Sequence, residues 1–253
     1  MMIVKFGGHA MKDSQGYFAQ SMSEALSRGE QVVVVHGGGP QINAELDKQK
    51  IKSTFVDGLR FTTEEIFYVV QKVLTQFVGP EVAQNLNTHG VKAQSISAED
   101  SNILFAEPIE GLGRVGKVTN VETQGIDQLL LEGVVPVIAP LAKDIHGGTG
   151  LNINADLAAA AISSAYPDST LIIMTDVAGI YRNWPDEDSL IDDISATDLT
   201  KLKSSFSDGM LPKVDAVLEA VASGARSVRI IDGTSDVSFG KALAGMGGTL
   251  VHL

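Results

Sequence analysis

The stretch "QVVVVHGGGPQI" at residues 31–42 constrains this chain more than any other. Its consecutive valines show no alternation of apolar and polar residues. The strand they form is therefore buried on both faces, as strands inside parallel sheets are. It stops in a histidine and a run of glycines, with proline close behind. A second unbroken run, "TLIIMTD" at 170–176, ends in the same polar way. Parallel strands need crossover connections, which helices supply. The chain thus reads as α/β: a three-layer α/β/α sandwich around a mainly parallel central sheet.

Other β-branched runs place strands at 2–6, 31–36, 92–96, 102–106, 114–119, 134–139, 170–175, 227–231 and 249–252. Helical patterns fall at 15–28, 40–50, 63–77, 80–89, 123–132, 154–165, 196–203, 212–223 and 236–244. Residues 102–118 differ. They read as a hairpin turning at Gly111 to Gly113, an antiparallel insertion near a sheet edge. Segments 146–150 and 182–189 read as loops. The 253 residues suffice for one domain of two lobes, 1–165 and 166–253.

Composition removes several function classes. The net charge of −12 makes nucleic acid and anionic membranes poor partners, and anionic substrates would need locally placed cations. With no cysteine there are no disulfides, thiolate chemistry or cysteine metal sites. No apolar run reaches the roughly 20 residues of a membrane helix. The opening "MMIVKFGG" lacks the basic and apolar regions of a secretory signal, so a cytoplasmic protein is expected.

Four segments end strands in glycine or polar residues: "VKFGGHA" (4–10), "VHGGGPQ" (35–41), "GTGLNINAD" (148–156) and "MTDVAGI" (174–180). Ligands of open α/β sheets bind outside such carboxyl ends. Pro40 suits a first helical turn, and the N–H groups of Gly37, Gly38 and Gly39 before it would form an anion site. The same glycines also fit plain strand–helix packing. The spacing matches neither the P-loop nor G-x-G-x-x-G.

Lys5 stands in an apolar strand, which fits either a paired charge in a crevice or a solvated edge. Lys213 follows Gly209 and Pro212 in a first helical turn, where a cation opposes the helix dipole unless an anion is bound. Asn154 suits the N-cap of "ADLAAAAIS". Asp156 then either offsets the dipole or reaches into the crevice. Arg60, in "VDGLRFTTEE", has the planar fork that grips a carboxylate, or lies in solvent.

In this order, "VKFGGHA", "VHGGGPQIN", "VDGLRFTT", "LGRVGKV", "LNINADLAAAAI", "TDVAGIY", "DGMLPKV" and "IIDG" resemble the amino-acid kinase superfamily, and most closely the acetylglutamate kinases. The resemblance spans residues 4 to 233 and implies the amino-acid kinase fold. Its N-terminal lobe would bind the amino acid and form a homodimer, and its C-terminal lobe would bind ATP. The implied reaction is phosphorylation of the side-chain carboxylate of N-acetyl-L-glutamate by ATP with Mg2+, the second step of arginine biosynthesis.

Carried over motif by motif, Lys5 and Lys213 would stabilise the transferring phosphoryl group and Asp156 would hold the lysines. Gly7, Gly8, Gly38 and Gly39 would offer N–H groups to phosphate and acceptor. Arg60 and Asn152, with Asn154 beside them, would hold the substrate. Asp176, Gly179 and Tyr181 would line the nucleotide site, with Gly209 near the phosphates. A glutamate carboxylate, with a pKa near ~4.3, is already ionised at neutral pH, so no general base is needed. His36 then reads as a packed residue.

Regulated relatives carry an N-terminal helix that builds hexamers. The first strand here starts near residue 2, so a dimer insensitive to arginine is expected. Two other readings stay open. One is a kinase of a related carboxylate, carrier-linked aminoadipate or glutamate, or aspartate. The other is a non-catalytic regulatory relative.

Overall fold

In a computed structural model, residues 1–7, 15–206, 210–222 and 224–253 are described. Gly8 and Gly209, both expected near phosphate, lie outside the described residues.

The chain alternates strands and helices: β1 (Met2–Phe6), α1 (Tyr17–Ser27), β2 (Val32–His36), α2 (Gly39–Lys48), β3 (Phe55–Val56), β4 (Leu59–Arg60), α3 (Glu64–Val73), α4 (Gly79–Thr88), β5 (Ala93–Ser97), β6 (Leu104–Pro108), β7 (Gly116–Val121) and α5 (Gln124–Leu131). The rest comprises β8 (Val135–Ala139), β9 (Leu141–Asp144), β10 (Leu151–Asn152), α6 (Ala155–Ser164), β11 (Thr170–Thr175), β12 (Asp193–Ser195), α7 (Ala196–Leu202), α8 (Leu211–Ala222), β13 (Ser227–Asp232), α9 (Ser238–Leu243) and β14 (Thr249–His252).

An eight-stranded sheet runs in the order β12-β14-β13-β11-β1-β2-β8-β5, and only the β13–β14 pair is antiparallel. The valine run is β2, near the sheet's middle. Val32 and Val34 enter one core with Met22, Phe67 and Leu86, while Val33 and Val35 enter the other with Ile138 and Ile162. Burial on both faces is why the run shows no alternation. The sheet order reverses about β1, with β2 on one side and β11 on the other. A crevice at the carboxyl ends of such strands is the usual ligand site of an open α/β sheet.

Residues 102–118 do form a hairpin, with Gly111 and Gly113 at φ +79° and +69°. It is not an edge of the main sheet. β6 pairs with β9, giving a separate four-stranded sheet in the order β10-β9-β6-β7. The strands β3, β4, β9, β10 and β12 are too short for any periodicity to announce them. The two helices expected at 63–77 and 80–89 are joined by a wider π turn, Leu74–Val78. Pro80 has no N–H for the ordinary four-residue bond, and the widened turn absorbs that loss.

Two N-termini near the site are capped by side chains. Thr63 accepts from Ile66 N at 3.2 Å at the start of α3. Asn154 Oδ1 accepts from Asp156 N (2.8 Å) and Leu157 N (3.3 Å) at the start of α6. Among the described residues no helix is long and apolar enough to cross a membrane.

Candidate active site

Two cavities open near the carboxyl ends of the central strands. The smaller, about 250 Å3, is lined by Lys5, Gly37 to Pro40, Phe55, Leu59, Arg60, Asn152, Asn154 and Asp156 among others. The larger, about 590 Å3, is lined by Asp176, Val177, Tyr181, Arg182, Asn183, Trp184, Ser205, Phe206, Met210 and Lys213.

Lys5 is buried on β1, on the face that also carries Ile3, and so it points toward α6. Its Nζ lies 3.0 Å from Asp156 Oδ1 and donates to Met174 O at 3.4 Å. Burying an ammonium is costly unless it is paired, and this carboxylate supplies the pair. The Oδ1 contact is a charge contact without hydrogen-bond alignment, and no other partner of Oδ1 is found among the described residues. Asp156 therefore keeps acceptor capacity on the cavity wall. A Cβ on Gly7 would lie 2.9 Å from both Lys5 Cε and Nζ, so a side chain there would push the lysine aside.

Of the three glycine N–H groups expected to be free after β2, that of Gly37 is already committed. Gly37 N donates to Phe6 O at 2.7 Å, so its N–H is not free. That bond extends the β1–β2 ladder by one residue and brings the two strand ends together. The N–H groups of Gly38 and Gly39, at the N-cap and first position of α2, have no carbonyl one turn back to bind. A Cβ on Gly39 would meet nothing within 4 Å, leaving its backbone open to the cavity. His36 is fully buried. Its Nδ1 donates to Gly37 O at 2.9 Å, and burial pushes its pKa down to about 4, so it stays neutral.

Arg60 is buried without a carboxylate partner among the described residues. Its Nη1 donates to Ser53 Oγ (2.6 Å), its Nη2 donates to Asn43 Oδ1 (2.7 Å), and its guanidinium lies 4.7 Å over the Phe55 ring. Burial lowers its pKa from the usual guanidinium value. A desolvated cation held by neutral groups at a cavity wall is poised for an anionic ligand. It reaches that wall on the β3–β4 hairpin, whose turn is Asp57–Gly58 with φ +48° and +76°. Asn152 Nδ2 donates to Thr62 Oγ1 at 3.1 Å.

In the larger cavity Tyr181 and Trp184 meet edge to face, ring centroids 5.0 Å apart. Such a wall suits a flat aromatic ligand. Lys213 stands in the first turn of α8 on the same wall. Gly179 does not line either cavity. It packs against β14, where a Cβ would lie 2.4 Å from Thr249 Oγ1.

The structure thus brings Lys5, Gly38, Gly39, Arg60, Asn152, Asn154 and Asp156 to one cavity and Asp176, Tyr181 and Lys213 to the other. Sequence reasoning missed Asn43, Ser53, Phe55 and Thr62 around Arg60, and Trp184, Phe206 and Met210 beside Tyr181. Of these, only Trp184 carried a signal, as an aromatic in a loop.

Residues 1–232 match the model of the Amino acid kinase family. The acetylglutamate kinase of Streptomyces avermitilis is 42% identical over 242 residues, spanning 92% of this chain and 80% of that protein. The acetylglutamate kinase of Streptomyces coelicolor is 43% identical over 242 residues, spanning 92% and 79%. Among solved structures, a Streptococcus mutans protein, smu.665, superposes with a TM-score of 0.87 at 28% identity and covers 99% of this chain and 98% of its own.

Proposed function

Because the chain belongs to the amino acid kinase family, and within it to the acetylglutamate kinases, we propose that its two cavities hold the two substrates of one transfer: ATP-dependent phosphorylation of the side-chain carboxylate of N-acetyl-L-glutamate, in arginine biosynthesis. One observation carries the division of labour. Every described residue lining the smaller cavity falls within 1–165, and every described residue lining the larger falls within 166–253. The first segment is the acceptor lobe and the second the nucleotide lobe.

The acceptor's α-carboxylate is anionic, and Arg60 is a buried cation on this cavity's wall with no carboxylate partner among the described residues. Asn152 offers Oδ1, for which no partner is found among the described residues, to an N–H of the acceptor. The side-chain carboxylate faces Lys5 and the N–H groups of Gly38 and Gly39. Tyr181 and Trp184 form the wall for the adenine, with Asp176 and Lys213 nearer the phosphates.

The step joins an acceptor carboxylate oxygen to the γ-phosphorus while the bond from that phosphorus to the β–γ bridging oxygen breaks. No proton moves, so no general base is required, which agrees with a buried, neutral His36. The obstacle is charge. Two like unit charges at 4 Å repel by roughly 1 kcal/mol in bulk water and about 4 at an effective dielectric of 20. On a chain of net −12, Lys5, Lys213 and the glycine N–H groups must supply the local compensation.

Mg2+ belongs to the proposal as the partner of the nucleotide phosphates, whose charge it would reduce. No group of three or more His, Asp or Glu among the described residues fits a metal ion, and the ion would be held chiefly by phosphate oxygens and water. A homodimer is proposed as well; Tyr68 and Phe77, both exposed along α3 and the π turn, are apolar surface available for it. Light scattering tests that part.

The activity is tested by trapping acyl phosphate with hydroxylamine in the presence of MgATP. N-acetylglutamate, glutamate, aspartate and aminoadipate are offered in parallel. Hydroxamate from N-acetylglutamate alone is expected. Hydroxamate from a different acid would move the substrate, and none from any would reject the reading.

A further inference from the structure

We propose that Thr62 is a positioning residue for acceptor binding, one that holds Arg60 and Asn152 in register through a single hydroxyl. This rests on the reading of the smaller cavity as the acceptor site.

Thr62 is completely buried and lines neither of the two cavities. All of its hydrogen-bonding groups are engaged, and together they reach three parts of the chain. Its hydroxyl donates to Arg60 O at 2.7 Å and accepts from Asn152 Nδ2 at 3.1 Å. Its N–H donates to Leu112 O at 3.1 Å, and its carbonyl accepts from Arg114 N at 2.6 Å. The strand of Arg60, the strand of Asn152 and the β6–β7 turn therefore meet at one residue. Gly113 makes the approach possible: a Cβ there would lie 2.3 Å from Thr62 O, and its φ is +69°.

The hydroxyl does two things that packing alone would not. It ties the Arg60 backbone, and so fixes where the guanidinium enters the cavity. It also takes up the Nδ2 end of Asn152, which leaves the Oδ1 end as the acceptor. A methyl in its place would free the Asn152 amide to turn over and present a donor where an acceptor is needed. A binding group shifted by about 1 Å commonly costs large factors in rate or affinity.

The test uses the full chain in the hydroxamate assay with Thr62→Val, which keeps the shape and removes the hydroxyl, and Thr62→Ser, which keeps the hydroxyl. The expected result for Thr62→Val is a KM for N-acetylglutamate raised about tenfold or more, with the KM for MgATP within about threefold of native. Thr62→Ser should recover most of the acceptor KM. Equal rises in both KM values, or a Ser variant as impaired as Val, would assign Thr62 to packing and overturn the proposal. An unchanged acceptor KM would overturn it too. If Thr62→Val does not fold, Thr62→Ala is read by the same criteria. An unaltered chain that makes no hydroxamate rejects the acceptor reading itself, a result distinct from any variant's.

Discussion

Lys5 on the first strand and Asp156 on the first turn of α6 meet at 3.0 Å, both buried, where the two cavities' strands end. The pair joins residues far apart in the chain and sets the lysine's direction. Without the carboxylate, Lys5 would keep, among the described residues, only a long bond to Met174 O. Asp156→Asn, which preserves shape and the helix start, should lower kcat by about 10² or more while the acceptor KM changes little. Steady-state kinetics check this; near-native kcat would detach Asp156 from the role.

Lys213 sits where the helix dipole opposes a cation, and a bound phosphate would reverse that penalty. Lys213→Ala should cost on the order of 10²–10³ in kcat, since one lost charge-stabilising donor commonly costs that much. Nucleotide binding, followed by titration calorimetry, should survive. A variant with native turnover would remove Lys213 from the transfer.

Arg60 donates to Ser53 and Asn43 and stacks on Phe55. A lysine has neither the fork nor the flat face for these contacts. Arg60→Lys should raise the acceptor KM by about 10- to 100-fold and leave the MgATP KM within about threefold. Parallel rises in both constants would mean that the guanidinium shapes the fold rather than the acceptor site.

His36 should make stability depend on acid. Its folded pKa is about 4, pushed down by burial, against 6.5 ordinarily. Between those values the unfolded chain binds a proton that the folded chain does not. Stability is therefore full above about pH 6.5 and falls as pH drops toward 4, by roughly 3 kcal/mol in all. Urea titrations across that range, compared with His36→Asn, should show a shallower decline in the variant. Identical declines would assign the acid sensitivity elsewhere.

Thr249 ties the nucleotide side. Its Oγ1 accepts from Ile180 N at 2.7 Å and donates to Ile191 O at 2.6 Å, all of it buried, beside the segment that carries Val177 and Tyr181. Thr249→Val leaves both backbone groups unpaired and should cost about 1–3 kcal/mol of stability. The MgATP KM should rise more than the acceptor KM. The reverse order in the kinetics would contradict the assignment of the cavities.

The sequence by itself determined the layered α/β plan, because two-face burial writes an unbroken apolar run and helices write their own period. It also marked Lys5, Arg60, Asp156 and Lys213, because charged residues at strand and helix ends stand out from an apolar background, whereas Asn152 came only from the family resemblance. Only the tertiary structure decided which of these groups are committed. Gly37 N–H belongs to Phe6, and no local pattern foretells a bond between two strand ends. Asn43 and Ser53 hold Arg60, and Thr62 joins it to Asn152, through contacts that depend on separate segments arriving together. Such pairings leave no period in the chain. They exist only once the core has brought the segments within hydrogen-bond reach.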